Sequence, residues 1–212
     1  MMEAFIGKFS NFSNSVVGQM VYAAAGLLLI MAVAGYFFRK RVSLKIITEA
    51  ASCMALALIL SVFAVYKMPQ GGTLTLCSMF FITYVGYLFG PAVGITAGVA
   101  YGFLHLAINP YVVHPVQLIM DYPLAYGALG FAGFFRKQKM QMGYVAGVSM
   151  RMLCHVLSGV IFFSEYAGAT DVWIYSIGYN GTYIIPEAIV TCVIISVPAV
   201  ERALVKMRSA TA

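Results

Sequence analysis

Asp121 lies in the stretch HPVQLIMDYPLAY, residues 114–126, of a chain that is 62% hydrophobic and 9% charged. A carboxylate at membrane depth is costly, and its default reading is a functional site. Gln117 and Asp121 are four apart, so on a helix they share one face. That face points into a bundle, because lipid offers it nothing. Pro115 suits the first turn of this helix; His114 then stands at its mouth and Tyr122 beside the acid. A second set follows, in which Arg151, His155 and Gly159 recur at four, with Phe162 and Phe163 next. Tyr175, Tyr179 and Tyr183 form a further stripe, flanked by Ser176 and Asn180 and extended by Glu187. Together these residues suit a pocket for a small cationic or polar aromatic ligand. A carboxylate and a unit cation at ~4 Å attract by about 4 kcal/mol at an effective dielectric near 20. Each aromatic face over the cation contributes roughly 0.5–2 kcal/mol more.

Each residue also has a plainer reading. Asp121 could pair with Arg151 or His155 only to fix helix register. Arg151 alone reads as structural, tying helix ends or snorkelling. A lone His155 would be a core histidine, and becomes a ligand contact through its neighbours. Tyrosines near a membrane interface commonly form an aromatic belt, but this stripe runs inward over two turns with Asn180. Glu187 reads as deeper and structural, and His105 as core.

The elements that must carry these residues are membrane helices. A mean hydropathy of +0.90 and long apolar runs place the 212-residue chain in the membrane class, with almost nothing left for a soluble domain. The spacing predicts spans at 16–38, 46–66, 74–89, 91–108, 115–135, 143–166 and 173–200. The net charge of +6 sits in clusters at the span ends: Arg39, Lys40, Arg41 and Lys45, then Arg136, Lys137 and Lys139, then Arg202, Lys206 and Arg208. Such clusters mark cytoplasmic loops and are not a nucleic-acid footprint. Alternating sides then places the N-terminus and segments 67–73, 109–114 and 167–172 outside, and the C-terminus inside. The expected organisation is an N-terminal transmembrane helix with a basic cytoplasmic linker (1–45), a six-helix membrane domain (46–200) and a basic cytoplasmic tail (201–212).

Gly94, Gly98 and Gly102 form a small-residue stripe suited to close packing inside the bundle. Ala51 and Ala55 form another, facing either the bundle or a partner. Cys53, Cys77, Cys154 and Cys192 fall in apolar stretches without metal spacing. No GxxxxGK[ST] phosphate loop, GxSxG elbow or HExxH motif is present, so the chain cannot hydrolyse ATP by itself. No cofactor or metal is expected.

With these residues in view, the chain resembles the thiamine-specific substrate-binding subunit (S component) of energy-coupling factor vitamin transporters. The stretches that carry the resemblance are TEAASCMALAL at 48–58, MPQGGTLTL at 68–76, PYVVHPVQLIMDYPLAYGALGFAG at 110–133, RMLCHVLSGVIFF at 151–163 and VWIYSIGYNGTYIIPE at 172–187. The resemblance implies an all-α six-helix S-component bundle, here with one extra N-terminal transmembrane helix. It implies a thiamine pocket near the outer face, closed by the loop at 67–73. Asp121 is then the acidic contact, with Tyr122, Tyr111, His155, Gly159, Phe163, Tyr175 and Asn180 around it; Gln117 and His114 are added from their spacing. It also implies that Ala51 and Ala55 dock on a shared membrane subunit and that two cytoplasmic ATPases supply the energy. Some family members carry Glu in place of Asp121 and Trp in place of Phe163. The shorter acid calls for a closer ligand or a water, and the smaller ring stacks less area.

Three other readings remain at this point: the same fold holding another heteroaromatic vitamin, an intramembrane enzyme using Asp121 and His155 as acid and base, and a stand-alone secondary transporter.

Overall fold

The computed structural model describes residues 2–13, 15, 18, 21 and 43–211. The expected span at 16–38 lies almost wholly outside these residues. The main helices and one small hairpin follow in chain order among the described residues. They are α1 (Met2–Ser13), α2 (Leu44–Val62), β1 (Tyr66–Lys67), β2 (Thr73–Leu74), α3 (Ser78–Phe89) and α4 (Pro91–Ile108). Then come α5 (Pro115–Phe135), α6 (Met140–Phe162), α7 (Val172–Ser196) and α8 (Pro198–Thr211).

Helices α2, α4, α5, α6 and α7 are long and apolar enough to cross a membrane. Their polarity is inverted relative to a water-soluble bundle. Gln117, Thr83, Asn180 and Glu187 are buried, while Phe134, Ile174, Ile189 and Val193 are exposed.

Local chemistry sets the helix starts. Ser43 accepts from the Ile46 N–H and begins α2; Asp171 accepts from Trp173 and Ile174 and begins α7. Pro91 and Pro115 occupy first turns, where a missing N–H costs nothing.

The run at 74–89 is not one span. Residues 73–74 pair with 66–67 as an antiparallel hairpin, and Cys77 turns the chain at φ 58°. Helix α3 therefore keeps only 12 residues, about 18 Å at 1.5 Å per residue. Its start lacks a side-chain cap from Cys77. Glu187 of α7 supplies one instead, accepting from the Met79 N–H at 3.2 Å, Ser78 Oγ at 3.1 Å and Thr75 Oγ1 at 2.7 Å. The last span also ends early, at Ser196, and Pro198 opens a separate helix over the basic tail. Arg208 of that helix donates to the Tyr87 hydroxyl and the Arg136 carbonyl, both at 2.7 Å.

Helix α5 is the central element. It packs against α3, α4 and α6, while α7 lies on α6 and α2 covers α3 and α4. The glycine stripe of α4 makes this closeness possible. A Cβ on Gly98 would meet the Tyr126 carbonyl, and one on Gly102 would lie 2.6 Å from the Tyr122 carbonyl oxygen. The stripe thus packs inside the bundle, as expected. Ala51 and Ala55, by contrast, are exposed on α2, while Ala50 and Ala57 face inward.

Candidate ligand-binding site

Pro123 shapes the centre of α5. It has no N–H to give, and the helix widens into one π turn over Met120–Leu124. The turn carries Asp121, and the Ala125 N–H reaches back to the Met120 carbonyl. Gln117, one turn earlier, donates to Asp121 Oδ2 at 2.6 Å. His155 of α6 lies 3.1 Å from Asp121 Oδ1, and Arg151 Nε donates to His155 Nε2 at 3.2 Å. The Arg151 guanidinium sits 4.2 Å from the centre of the Tyr126 ring. A carboxylate has about four acceptor positions, so both Asp121 oxygens keep room for a further donor or cation.

This chain of side chains lines a cavity that opens to one end. Asp121, Tyr122, His155, Gly159, Phe163, Tyr175, Asn180, Tyr111 and Gln117 all line it. His114 does not. Its Nδ1 accepts from the Val116 N–H at 3.1 Å, and its ring stacks on Phe162 at 5.0 Å.

Several lining residues spend their polar atoms on the protein itself. The Tyr122 hydroxyl is shared between the Tyr111 N–H and the Asn109 carbonyl. Gln117 also donates to the Tyr111 carbonyl and accepts from the Val113 N–H, both at 3.1 Å. Asn180 donates to the Ser176 carbonyl at 3.0 Å and the His155 carbonyl at 3.3 Å, stitching α7 to α6. Gly159 is where these helices meet, since a Cβ there would strike Ser176 Oγ. These residues hold the wall in place, and Asp121 remains the acid facing the opening.

Aromatic rings cover the mouth. Tyr111 stacks on Phe163 at 6.2 Å, and Phe163 meets Tyr166 at 6.2 Å. Tyr175, Tyr179 and Tyr183 follow one another down α7 at 6.1 Å steps. Burial pushes the Tyr111 hydroxyl above its usual value, with Tyr166 and Glu165 adding to the effect, so it remains a neutral donor.

The segment between β1 and β2 lies over this opening. The Tyr179 hydroxyl accepts from the Gln70 N–H at 3.1 Å and the Gly72 N–H at 3.3 Å. Gly71 adopts φ 84° and lies on Tyr111; a Cβ there would be 2.7 Å from the ring. A Cβ on Gly72 would be 2.7 Å from the Tyr183 ring. The hairpin tip therefore seats on the rings through bare backbone.

Sequence reasoning missed some of the lining residues. His105, read as core, lines the cavity among Tyr101, Tyr122 and Tyr126, and its Nδ1 has no partner. Its place three residues after Gly102 on the α5-facing stripe was the available signal. Arg151 and Tyr126 also line the cavity. Trp173, in contrast, is exposed and lies outside the lining.

Membrane-length helices around one polar, aromatic-walled cavity, with a hairpin over its mouth, define a membrane protein built to hold a small ligand. Residues 47–206 match the thiamine transporter protein family (Thia_YuaJ), and the chain belongs to that family. It is 34% identical over 166 residues to the thiamine transporter ThiT of Bacillus subtilis (strain 168), spanning 69% of this chain and 86% of the relative. It is 29% identical over 121 residues to the thiamine transporter ThiT of Lacticaseibacillus paracasei, spanning 48% of this chain and 60% of the relative. The fold matches a solved structure of ThiT from Listeria monocytogenes with a TM-score of 0.68 and 25% identity, covering 78% of this chain and 97% of the other. The family read from the sequence is thus confirmed. The family is one of transport proteins, which removes the enzyme reading.

Proposed function

We propose that this chain is the thiamine-binding membrane subunit, or S component, of an energy-coupling factor importer. The observation that carries the reading is Asp121, held by Gln117 and His155 with acceptor capacity to spare, in an aromatic cavity of a thiamine transporter family member. Thiamine has a permanently cationic ring and a second heteroaromatic ring. Asp121 balances the positive charge, at a gain of about 4 kcal/mol for ~4 Å at a dielectric near 20. Phe163, Tyr111 and Tyr175 cover the ring faces. Tyr122, Gln117, Asn180, Gly159 and His155 hold the walls, and His114 caps α5 rather than touching the ligand.

In this reading the N-terminus and the cavity mouth are outside the cell and the C-terminus is cytoplasmic. The exposed Ala51 and Ala55 of α2 dock on a shared membrane subunit, which joins two cytoplasmic ATPases. Equilibrium dialysis of radiolabelled thiamine against the purified, detergent-solubilised chain tests the reading. One saturable site per chain is expected; absence of saturable binding overturns it.

A further inference from the structure

Arg151 is buried among rings, and nothing in the transport reading so far uses its charge. Its Nε always carries a proton and points at His155 Nε2 from 3.2 Å. Two N–H groups cannot face each other at that distance, so Nε2 must present its lone pair. The imidazole proton then sits on Nδ1, which faces Asp121 Oδ1 at 3.1 Å. Both ring nitrogens are thereby committed. A second proton on this imidazole could enter only at Nε2, where it would displace the Arg151 hydrogen bond and confront a cation.

The alternative shows why this matters. A doubly protonated His155 would be a cation directly on Asp121, and would compete with any cationic ligand for that carboxylate. We infer that Arg151 is a positioning residue which, through its bond to His155 Nε2, keeps the imidazole neutral and reserves the Asp121 charge for a cationic ligand. The inference rests on the proposed thiamine reading and adds a selectivity device to the same site. The Arg151 charge itself is spread against the Tyr126 ring at 4.2 Å.

The titratable and charged groups around the pair are consistent with this division. Asp121 faces His155 from α5, Tyr183 from α7 and His105 from α4; Tyr126 and Glu187 lie on the Arg151 side, and Arg151 and Cys154 are on the same helix as His155. Glu187 is already held by Thr75, Ser78 and Met79. His155 is therefore the one titratable group hydrogen-bonded to Asp121 among the described residues.

The test is thiamine affinity by titration calorimetry at pH 6.0 and 8.0, for the purified full-length chain and for Arg151→Met. With the Arg151 bond gone, Nε2 is open to a proton beside Asp121, and a larger share of the rings takes one at pH 6.0 than at 8.0. Arg151→Met is then expected to lose severalfold more affinity between pH 8.0 and 6.0 than the unmodified chain does. A uniform loss at both pH values means a packing role and overturns the inference, while thiamine binding itself stands. Nitrogen-15 histidine spectra of the unmodified chain give a second readout that needs no arginine variant. His155 should appear as the Nδ1-protonated neutral form at pH 6.5; an Nε2-protonated or doubly protonated ring overturns the inference even if Arg151→Met does not fold. If the unmodified chain binds no thiamine at any pH, the functional reading fails, and the spectra still decide the state of His155.

Discussion

The Tyr122 hydroxyl accepts a hydrogen bond from the Tyr111 N–H at 2.7 Å and donates to the Asn109 carbonyl at 2.8 Å. One buried phenol on α5 thus pins both the start and the middle of the loop at 109–114, and so sets where the Tyr111 ring lies. Tyr111 in turn supports both Phe163 and Gly71.

Tyr122→Phe separates this pinning from ring contact, because the ring is kept. It leaves the Tyr111 N–H without its partner, at a cost of about 1–3 kcal/mol. Thiamine should leave faster, and the thermal transition should fall by a few degrees. Chase experiments with unlabelled thiamine read the first effect, and unchanged release would mean the loop is positioned by other contacts.

Gly71 and Gly72 should tolerate no side chain. Alanine at Gly71 must adopt a left-handed conformation costing roughly 1–2 kcal/mol, and it meets the Tyr111 ring. Gly71→Ala and Gly72→Ala should each weaken thiamine binding by about tenfold while leaving the bundle folded, since the hairpin lies over the cavity and not within the helix packing. Affinity equal to that of the unmodified chain would show that hairpin closure does not retain the ligand.

Much of this arrangement is legible in the sequence where the period is that of a helix. The i, i+4 pair Gln117–Asp121, the Arg151–His155–Gly159 face and the tyrosine stripe of α7 all converge on one cavity. What escaped reading has physical causes. The run at 74–89 is apolar throughout, so hydropathy cannot show that Cys77 turns the chain and that a distant Glu187 supplies the cap for α3. Trp173 is two positions from Tyr175, about 200° around the helix, and is exposed. Tyr122, Gln117 and Asn180 line the cavity, and only the tertiary structure shows how far their polar atoms are engaged with the protein itself. The amphipathic α1, unmarked by any apolar run, reaches the same rim through a bond from Ser10 Oγ to the Val112 carbonyl at 2.7 Å.

Substituting the exposed pair Ala51 and Ala55 tests whether binding and transport separate. Small residues let helix backbones approach, and a bulky side chain holds them apart. Replacing both with leucine should spare thiamine binding, because the residues lie on the outer surface of α2 and away from the cavity. ATP-driven uptake into vesicles containing the shared subunit and the ATPases should be lost. Normal uptake by that variant would place the docking surface elsewhere.

Asp121→Asn tests most directly whether the Asp121 carboxylate holds a cationic ligand. The amide keeps the shape, can still accept from His155 or Gln117, and is cheaper to bury than a charge. Titration calorimetry with thiamine, alongside thermal unfolding of the same preparations, reads both roles at once. An affinity loss of at least tenfold, about 1.4 kcal/mol, is expected, with the ligand-free protein still folded. Unchanged affinity with a lowered transition would contradict this, and would make Asp121 a structural partner of His155 and Gln117 alone.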